Sequence, residues 1–353
     1  MNALILVNAS AGFVAANGPE DLGARLQEAA GEIGWSCEVK VGPCDDLIEA
    51  ARTNESADVI ICAGGDGTIA AVAAVVAEAG ATFLPLPCGT MNLFCRDLGL
   101  PADPIDALKA ALQGSPVMVD LGTVETEEDG KRVFLNNIVF GPYADLAVAR
   151  EKMRDAETVA ETGAAIIDAA SALIGSTPGP HAISIDDRSI ALDTNTVVIS
   201  NNCYSQCIDL APRRSKLDGG VLCLYLVSAS GPASFAARLI EFLDGTLDKS
   251  ENIDLYTGLQ CVVERRDGPT VFAVDGERRE TNGDVKMRIL PGALRILVPR
   301  AADRPSTTAA QLVEQRSERG RAPALEDQLA MVMRRVSARL GLVFSFGGAA
   351  AFA

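Results

Sequence analysis

The sequence contains a single histidine and too few basic residues to balance its acidic ones, so that its 353 residues carry a net charge of −16. This acidic balance argues against a nucleic-acid partner, because nucleic-acid phosphates are bound by clusters of lysine and arginine. The one histidine, His181, gives poor support to a zinc site at Cys203 and Cys207, although these cysteines lie four residues apart.

Long hydrophobic runs are also missing, since no uncharged stretch reaches the roughly 20 residues of a membrane-spanning helix. The first apolar run has no basic segment ahead of it and ends at Asn8, which predicts a first strand rather than a signal peptide. The nine cysteines are scattered, mostly inside apolar runs, which predicts buried thiols in a reducing compartment and no disulfide framework. We therefore expect a cytoplasmic protein of about two domains.

The most informative stretch of the sequence is 58–69, which contains an apolar strand, the glycine turn Gly64–Thr68 and the start of a helix. Glycines there let the main chain approach a ligand, and the free N–H groups of a helix start favour an anion. Asp66 in that turn repels a phosphate unless a cation lies between them or the carboxylate takes part in proton transfer. We therefore predict a nucleotide phosphate site with Mg²⁺ nearby, the alternative being a tight turn whose aspartate caps the helix.

Two further loops, Asn8–Gly12 and Pro87–Arg96, also follow apolar strands. Strands alternate with helices over residues 1–122, which predicts an α/β fold class whose first domain is doubly wound, with ligands at these loops. Residues 123–292 show many short strands separated by turn signals, which predicts a largely antiparallel β-sandwich or distorted barrel with a helical insertion over 145–174.

These three loops, in this order, resemble those of the diacylglycerol kinase catalytic family, which also holds sphingoid-base, ceramide and other lipid kinases. The Gly-Gly-Asp-Gly-Thr loop is intact, whereas Ala9 and Ala11 replace a proline and a serine of the first loop, and Leu93 replaces an aspartate of the third. The segments Leu217–Leu222 and Val274–Glu277 extend the resemblance, which covers roughly residues 1–300.

The resemblance implies that the γ-phosphoryl group of ATP is transferred to a lipid hydroxyl, with Mg²⁺ as cofactor and the site in a cleft between the domains. Diacylglycerol or a related lipid is the expected acceptor, and ceramide or a sphingoid base is the alternative. It also implies that the chain returns at about 293–303 to complete the first domain. A second alternative is an NAD kinase, which shares the intact glycine loop, but the other NAD kinase motifs have no match in this sequence. A third is a non-catalytic lipid-binding regulator, which the altered first and third loops allow.

The residues expected to hold the nucleotide share a position in the three loops. They are Asn8, Gly12, Gly64, Gly65, Asp66, Gly67, Thr68, Gly89, Thr90 and Asn92. Asp66 is expected either to bind Mg²⁺, directly or through water, or to act as the base. The resemblance favours Glu277 as the proton acceptor, and Asp275 is the third candidate catalytic carboxylate.

A structural Mg²⁺ is a further implication of the resemblance, with Asp218 and the carbonyl groups of Ser215 and Gly220 as its ligands. The alternative is a plain Asp-Gly turn. The neighbouring Arg213 and Arg214 are expected to steer a phosphate or a lipid headgroup, or to face the solvent.

The C-terminal tail, 304–353, carries seven arginines against four acidic residues. Its apolar residues at helical spacing are Leu325, Leu329, Val332, Met333, Val336, Leu340 and Val343. A basic amphipathic tail on an acidic body predicts contact with an anionic membrane surface, and hence a peripherally membrane-associated protein. The alternative is a helix packed on this chain or on a second copy in a homodimer.

Overall fold

The computed structural model describes residues 1–141, 182–191, 196–204, 213–214, 216–227, 253–264 and 269–300. The predicted insertion over 145–174, the tail over 304–353 and Ser215 lie outside the described residues. The helices in the described ranges are α1 (Gly12–Asn17), α2 (Pro19–Glu32), α3 (Cys44–Thr53), α4 (Asp66–Ala79), α5 (Leu93–Asp97) and α6 (Pro104–Leu112). None of these described helices has the length and apolar character needed to cross a membrane.

The strands of the same ranges are β1 (Asn2–Asn8), β2 (Ser36–Gly42), β3 (Val59–Gly64), β4 (Thr82–Pro87), β5 (Ser115–Thr126), β6 (Gly130–Phe134), β7 (Asn137–Phe140), β8 (Ala182–Ile185), β9 (Arg188–Ala191), β10 (Thr196–Asn201), β11 (Leu222–Val227), β12 (Ile253–Gly258), β13 (Gln260–Glu264), β14 (Thr270–Val274), β15 (Glu277–Thr281) and β16 (Val285–Val298). Across the described chain they form two sheets, ordered β2-β1-β3-β4-β16-β13-β8-β9, with β5 and β6 joined through β16, and β12-β11-β10-β7-β14-β15.

The N-terminal half of the first sheet is parallel, because β1 pairs with β2 and β3, β3 with β4, and β4 with β16 in the same direction. Every residue of β3 is buried, as its uninterrupted apolar sequence predicts for a central parallel strand. Helix α2 packs beside α6, and α3 packs beside α4. The predicted doubly wound α/β arrangement is confirmed, and it brings the carboxyl ends of β1, β3 and β4 to one edge.

The C-terminal half is an antiparallel sandwich, as predicted. Its six-stranded sheet packs against β5, β8, β13 and β16 of the first sheet through one apolar cluster. Leu224 and Phe272 come from one sheet of that cluster, and Val263 and Met287 come from the other. The rings of Phe140 and Phe272 stack with their centroids 5.5 Å apart. These contacts fix the second sheet against the strands that continue from the parallel half.

Strands β5 and β16 join the two halves. They pair antiparallel from Lys286 to Val298 of β16, with a register shift between Leu290 and Leu294. Gly292 lies in this bulge with a φ of 57°, and its N–H donates to Asp120 Oδ1 of β5 at 2.7 Å. The sequence predicts two strands here, Val285–Leu290 and Ala293–Val298, but the structure has one bent strand because β5 pairs with both sides of the bulge.

A second difference concerns the segment 132–140, which the sequence predicts to be one strand. The structure breaks it at Leu135 and Asn136 and places β6 and β7 in different sheets. The break exists because the main-chain N–H groups of Leu135 and Asn136 donate to the Asp275 carboxylate instead of to a neighbouring strand. The sequence also gave no signal for β15, whose residues are mostly charged and which lies at a sheet edge.

One cysteine pair differs from the prediction of free thiols. Cys203, just after β10, forms a disulfide with Cys223 of the adjacent strand β11, with the two Cα atoms 5.2 Å apart. The antiparallel pairing of β10 with β11 brings together two cysteines that are 20 residues apart. The prediction is therefore wrong for this pair. The free cysteines of the described ranges are Cys37, Cys44, Cys62, Cys88, Cys95 and Cys261.

Candidate active site

The three predicted loops meet at the carboxyl edge of the parallel strands. Asn8, at the end of β1, donates from Nδ2 to Thr68 Oγ1 at 2.6 Å, and both residues are buried. The main-chain N–H of Phe13 donates to the Cys88 carbonyl at 3.2 Å. Gly12 is exposed at the start of α1. The first loop is therefore tied to both of the others, which the sequence could suggest only through strand order.

The second and third loops touch through their glycines. A Cβ on Gly89 would lie 2.7 Å from the Gly65 Cα atom, so the close approach of the two main chains requires glycine there. Asn92 has a φ of 49°, accepts the Gly89 N–H on Oδ1 at 2.7 Å and donates from Nδ2 to the Gly89 carbonyl at 2.9 Å. Asn92 thus shapes its own loop, while Thr90 is exposed beside it.

Asp66 is the first residue of α4 and faces the start of α5. Its carboxylate accepts main-chain hydrogen bonds from Asn92, Leu93 and Phe94. Burial raises the pKa of Asp66 above its usual value, and these three hydrogen bonds oppose the shift. Oδ1 is buried and has no hydrogen-bond partner among the described residues. An oxygen in that state is costly unless something outside the chain, such as a cation, satisfies it.

Glu277 lies against the first turn of α4, which Asp66 begins. It is the first residue of β15 and follows a two-residue hairpin turn in which Asp275 and Gly276 have φ values of 48° and 90°. Its side chain is 57% exposed, and Oε2 accepts from Arg279 Nη2 at 2.7 Å. A Cβ on Gly67 would lie 2.5 Å from Glu277 Oε1, so this oxygen lies against the first turn of α4. The structure therefore brings Glu277 next to the residue that follows Asp66.

Asp275 has a different environment. Its Oδ2 accepts the Leu135 N–H at 2.8 Å, and its Oδ1 accepts the N–H groups of Asn136 and Asn137 at 2.8 and 3.0 Å. Burial raises the pKa of Asp275 to about 6, although these hydrogen bonds oppose the shift. Both oxygens are thus engaged by the main chain. This geometry suits a residue that fixes the turn before Glu277 better than one that reacts.

Two features of the site were not predicted. The thiol of Cys44, at the start of α3, hydrogen-bonds the Thr68 side chain, and burial raises its pKa. Arg214 is 1% exposed and its Nη2 lies 2.6 Å from Asp97 Oδ2, in place of the predicted contact with solvent or with a phosphate. Burial raises the pKa of Asp97, and the Arg214 guanidinium opposes that shift. The sequence signal for the pair was weak, because 117 residues separate its members.

The loop predicted to hold a structural metal ion lies away from these carboxylates in the sequence and is partly solvent-exposed. Asp218 is exposed, and the Gly220 N–H donates to Asp120 Oδ2 at 2.7 Å. Asn202 Oδ1 faces Gly219 and is buried without a hydrogen-bond partner in the described part of the chain. Over the same residues, no cluster of three histidine, cysteine or acidic side chains suits a metal ion. The metal site stays a prediction, since Ser215 is not described.

Family comparison divides the chain into two segments. Residues 2–124 match the diacylglycerol kinase catalytic domain, and residues 144–298 match the YegS C-terminal NAD kinase beta sandwich-like domain. Among curated relatives, a diacylglycerol kinase of Staphylococcus saprophyticus is 36% identical over 115 residues, and a protein of Stenotrophomonas maltophilia named probable lipid kinase YegS-like is 35% identical over 100 residues. These alignments span 32% and 27% of this chain and 35% and 32% of the relatives' own lengths.

Solved structures extend the similarity along most of the chain. The crystal structure of a diacylglycerol kinase from Bacillus anthracis aligns with a TM-score of 0.61 at 19% identity and covers 85% of this chain and 97% of that one. A second structure from the same organism gives 0.62 at 20% identity, with coverage of 85% and 98%. At such identities the likeness shows the fold alone, and it agrees with the parallel half followed by a sandwich.

Proposed function

Because the chain belongs, through residues 2–124, to the diacylglycerol kinase catalytic-domain family, we propose that it is an ATP-dependent lipid kinase. It transfers the γ-phosphoryl group of ATP to a hydroxyl of diacylglycerol or a related lipid. The observation that carries the proposal is the placement of two acidic residues at the first turn of α4, where Asp66 begins the helix and Glu277 Oε1 lies against Gly67. Asp66 has a buried carboxylate oxygen beside glycine loops that suit a phosphate, and Glu277 is exposed to an acceptor.

The nucleotide lies on the loops at the carboxyl edge of the parallel strands. The main chain of Gly64–Thr68 and of Gly89–Thr90 lies against its phosphates, because these segments carry no bulky side chain and the first opens a helix. The N–H donors come from Gly64–Thr68 and Thr90, since the Gly89 N–H is donated to Asn92 Oδ1. Asn8 and Thr68 hold each other and keep the first loop against the second. Support for this placement comes from the contact of Gly65 with Gly89, which leaves the main chains accessible side by side.

Asp66 fits an Mg²⁺ ion. Its buried Oδ1 lacks a hydrogen-bond partner within the described residues, and Mg²⁺ prefers carboxylate and phosphate oxygens. When bound, the ion offsets the negative charge that develops on the transferred phosphoryl group. Asp66 contributes the ligand, and the three N–H groups at the start of α5 hold its carboxylate in place.

Glu277 is the proton acceptor for the lipid hydroxyl. It is solvent-exposed at the start of an edge strand, so a substrate reaches it without rearrangement of the core. Arg279 fixes Oε2, which turns Oε1 toward Gly67 and the phosphate loops. Asp275 positions this turn through its three main-chain hydrogen bonds.

Two accessory parts of the proposal concern the metal loop and the tail. A structural Mg²⁺ binds Asp218 and neighbouring carbonyl groups at Ser215 and Gly220, and the unpartnered Asn202 Oδ1 beside that loop is a further oxygen of suitable type. The basic tail binds an anionic membrane surface, where the lipid resides. Deletion of 323–353 tests this part, because it should weaken binding to anionic liposomes; unchanged binding with altered dimerisation would instead support packing on a second copy.

The central experiment incubates the protein with labelled ATP, Mg²⁺ and a panel of lipid alcohols that includes diacylglycerol, ceramide and a sphingoid base. We expect label in an organic-extractable lipid, and the panel identifies which one. Label in an aqueous dinucleotide would indicate an NAD kinase, and nucleotide binding without transfer would indicate a regulator. The Glu277→Gln variant should lose roughly 10²-fold or more in kcat. The matched control is Glu280→Gln, another exposed glutamate of β15, which should retain activity.

A further inference from the structure

We infer that the buried ion pair of Asp97 with Arg214 is a positioning device that sets the separation of the candidate catalytic carboxylates Asp66 and Glu277. The inference rests on the proposed function, since it assigns a role within the same site. The pair acts on the reaction only by positioning other residues, because both of its members are enclosed: the Arg214 side chain is 1% exposed and the Asp97 side chain 4%. Neither has the access that a phosphate or lipid headgroup would need.

The pair itself is held in one orientation. Arg214 donates from Nε to Asp97 Oδ2 at 2.7 Å, and its Nη2 lies 2.6 Å from the same oxygen. Its main-chain N–H donates to Asp97 Oδ1 at 3.1 Å. Two buried charges remain in a fold only when they are paired and fully hydrogen-bonded, and this pair meets both conditions.

On one side the pair reaches Asp66. Asp97 is the last residue of α5, and the first residues of the same helix, Leu93 and Phe94, donate main-chain hydrogen bonds to the Asp66 carboxylate. The helix has five residues, and at 1.5 Å per residue its two ends are less than about 10 Å apart. Anchoring Asp97 therefore fixes the N–H groups that hold Asp66.

On the other side the pair reaches the turn that carries Glu277. Arg214 donates from Nη1 to the Leu135 carbonyl at 2.5 Å and from Nη2 to Asn136 Oδ1 at 2.8 Å. The main-chain N–H groups of the same two residues donate to the Asp275 carboxylate, two positions before Glu277. The segment between β6 and β7 is thus bound by Arg214 on one face and by Asp275 on the other.

The guanidinium is the group that can make this connection. Its remaining Nη1 hydrogen bond goes to the Asn201 carbonyl at 2.9 Å, so that all five of its N–H donors have acceptors. Those acceptors belong to α5, to the β6–β7 segment and to β10. Because the five donors lie in one rigid plane, they fix these three segments relative to one another, which a lysine with one ammonium group cannot do.

The expected signature is a change in kcat without a change in nucleotide affinity. The segments that bind ATP, Gly64–Thr68 and Gly89–Thr90, follow strands β3 and β4 and are held by those strands and by the hydrogen bonds between Asn92 and Gly89. Their geometry therefore survives when the pair is removed. Glu277 lies on the β6–β7 side of the pair, and its displacement slows proton acceptance. A residue that merely stabilised the fold would not separate these two quantities.

The test uses the full chain with a double variant, Asp97→Leu with Arg214→Met, which removes both charges without leaving one buried and unpaired. We expect kcat for lipid phosphorylation to fall at least tenfold while the ATP dissociation constant changes less than twofold. Arg214→Lys keeps the charge but loses the planar donors, and it should show the same pattern. The matched control is Val263→Ala in the sandwich core, which lowers stability and should leave kcat unchanged.

Hydrogen exchange followed by mass spectrometry provides a second readout that does not depend on activity. In the double variant the amides of 92–94 and of 135–137 should exchange faster than in the unmodified chain. If no lipid is phosphorylated by the unmodified chain, the proposed function fails, and faster exchange in both segments still supports the link. An active chain whose folded double variant keeps its kcat, or loses kcat and ATP affinity in equal measure, would overturn the inference. Unchanged exchange at 135–137 would also overturn it.

Discussion

The two halves of the molecule each hold a carboxylate with three consecutive main-chain N–H groups, but they leave the two carboxylates in different states. In the parallel half, residues 92–94 bind Asp66 and leave its Oδ1 buried without a partner in the described chain. In the sandwich half, residues 135–137 bind Asp275 and occupy both of its oxygens. Three consecutive N–H groups therefore suit a reactive carboxylate when one of its oxygens stays without a partner, and a structural carboxylate when both oxygens accept hydrogen bonds.

The largest expected effect comes from Asp66→Asn. Loss of the metal-binding oxygen should lower kcat by about 10³-fold, since electrostatic stabilisation supplies most of the rate in phosphoryl transfer. Stability should be unchanged or slightly higher, because burial already disfavours the charged form of Asp66. Single-turnover transfer and thermal unfolding measure the two quantities. Asp58→Asn, at an exposed carboxylate that accepts the Asn2 N–H, is the control. Full activity in Asp66→Asn would remove this residue from the site.

Asp275→Asn should instead have its main effect on stability. The amide nitrogen would face an N–H donor, so the variant loses at least one of three hydrogen bonds and buries an unsatisfied donor, at a cost of about 2–3 kcal/mol in the free energy of unfolding. Denaturant unfolding measures it. The matched control is Asp186→Asn, where Oδ1 of another left-handed turn aspartate accepts two main-chain N–H groups at an exposed site. An equal, small effect in both variants would contradict the comparison.

The pH dependence of stability sharpens the comparison further. Because the pKa of Asp275 is about 6 in the fold and 3.8 when unperturbed, the folded state binds the extra proton between these values. The free energy of unfolding should therefore fall as pH rises from about 4 to about 6 and stay level above, by on the order of 2 kcal/mol from this group. Unfolding of the unmodified chain and of Asp275→Asn at pH 4.5 and 7.5 isolates the contribution, and a difference that grows in the opposite direction would refute it.

The smallest effect is expected from Gly67→Ala. The new Cβ lies 2.5 Å from Glu277 Oε1, but that oxygen is at the end of an exposed side chain. The carboxylate therefore moves aside at the cost of its solvent-exposed hydrogen bond with Arg279. We expect kcat to fall about threefold to tenfold with the ATP dissociation constant unchanged. Gly31→Ala in α2 is the control, since a Cβ there meets nothing within 4 Å. It should stabilise the helix by about 0.5–1 kcal/mol without affecting kcat.

Much of the parallel half was predictable, because each of its features depends on residues that are consecutive in the sequence. The apolar run of β3 predicts a central strand, and glycines at the strand ends predict loops that approach a ligand. The expectation that Glu277 is the proton acceptor came from the family resemblance, and its position beside Gly67 was not predicted, since nothing in the local sequence of β15 predicts a strand. Local pattern was sufficient wherever the partner residues are neighbours in the chain.

The joint between the halves was not predictable for the same reason. Asp97 and Arg214 are 117 residues apart, and an arginine in a polar loop gives no signal that it will be enclosed. The break between β6 and β7 depends on Asp275, which lies about 140 residues further on. Such contacts depend on which strands pair across the sandwich, and strand pairing is not encoded in the pattern of any one segment.

The bulged strand β16 has a consequence for motion. Strands β5 and β16 continue through both halves, and Asp120 closes the bulge by accepting the Gly292 N–H. A hinge between the halves would have to break this ladder, so we expect no clamshell closure and a single cooperative melting transition for both sheets. The distance between the proposed nucleotide loops and Glu277 is then set when the chain folds, and we expect substrate binding to change it little.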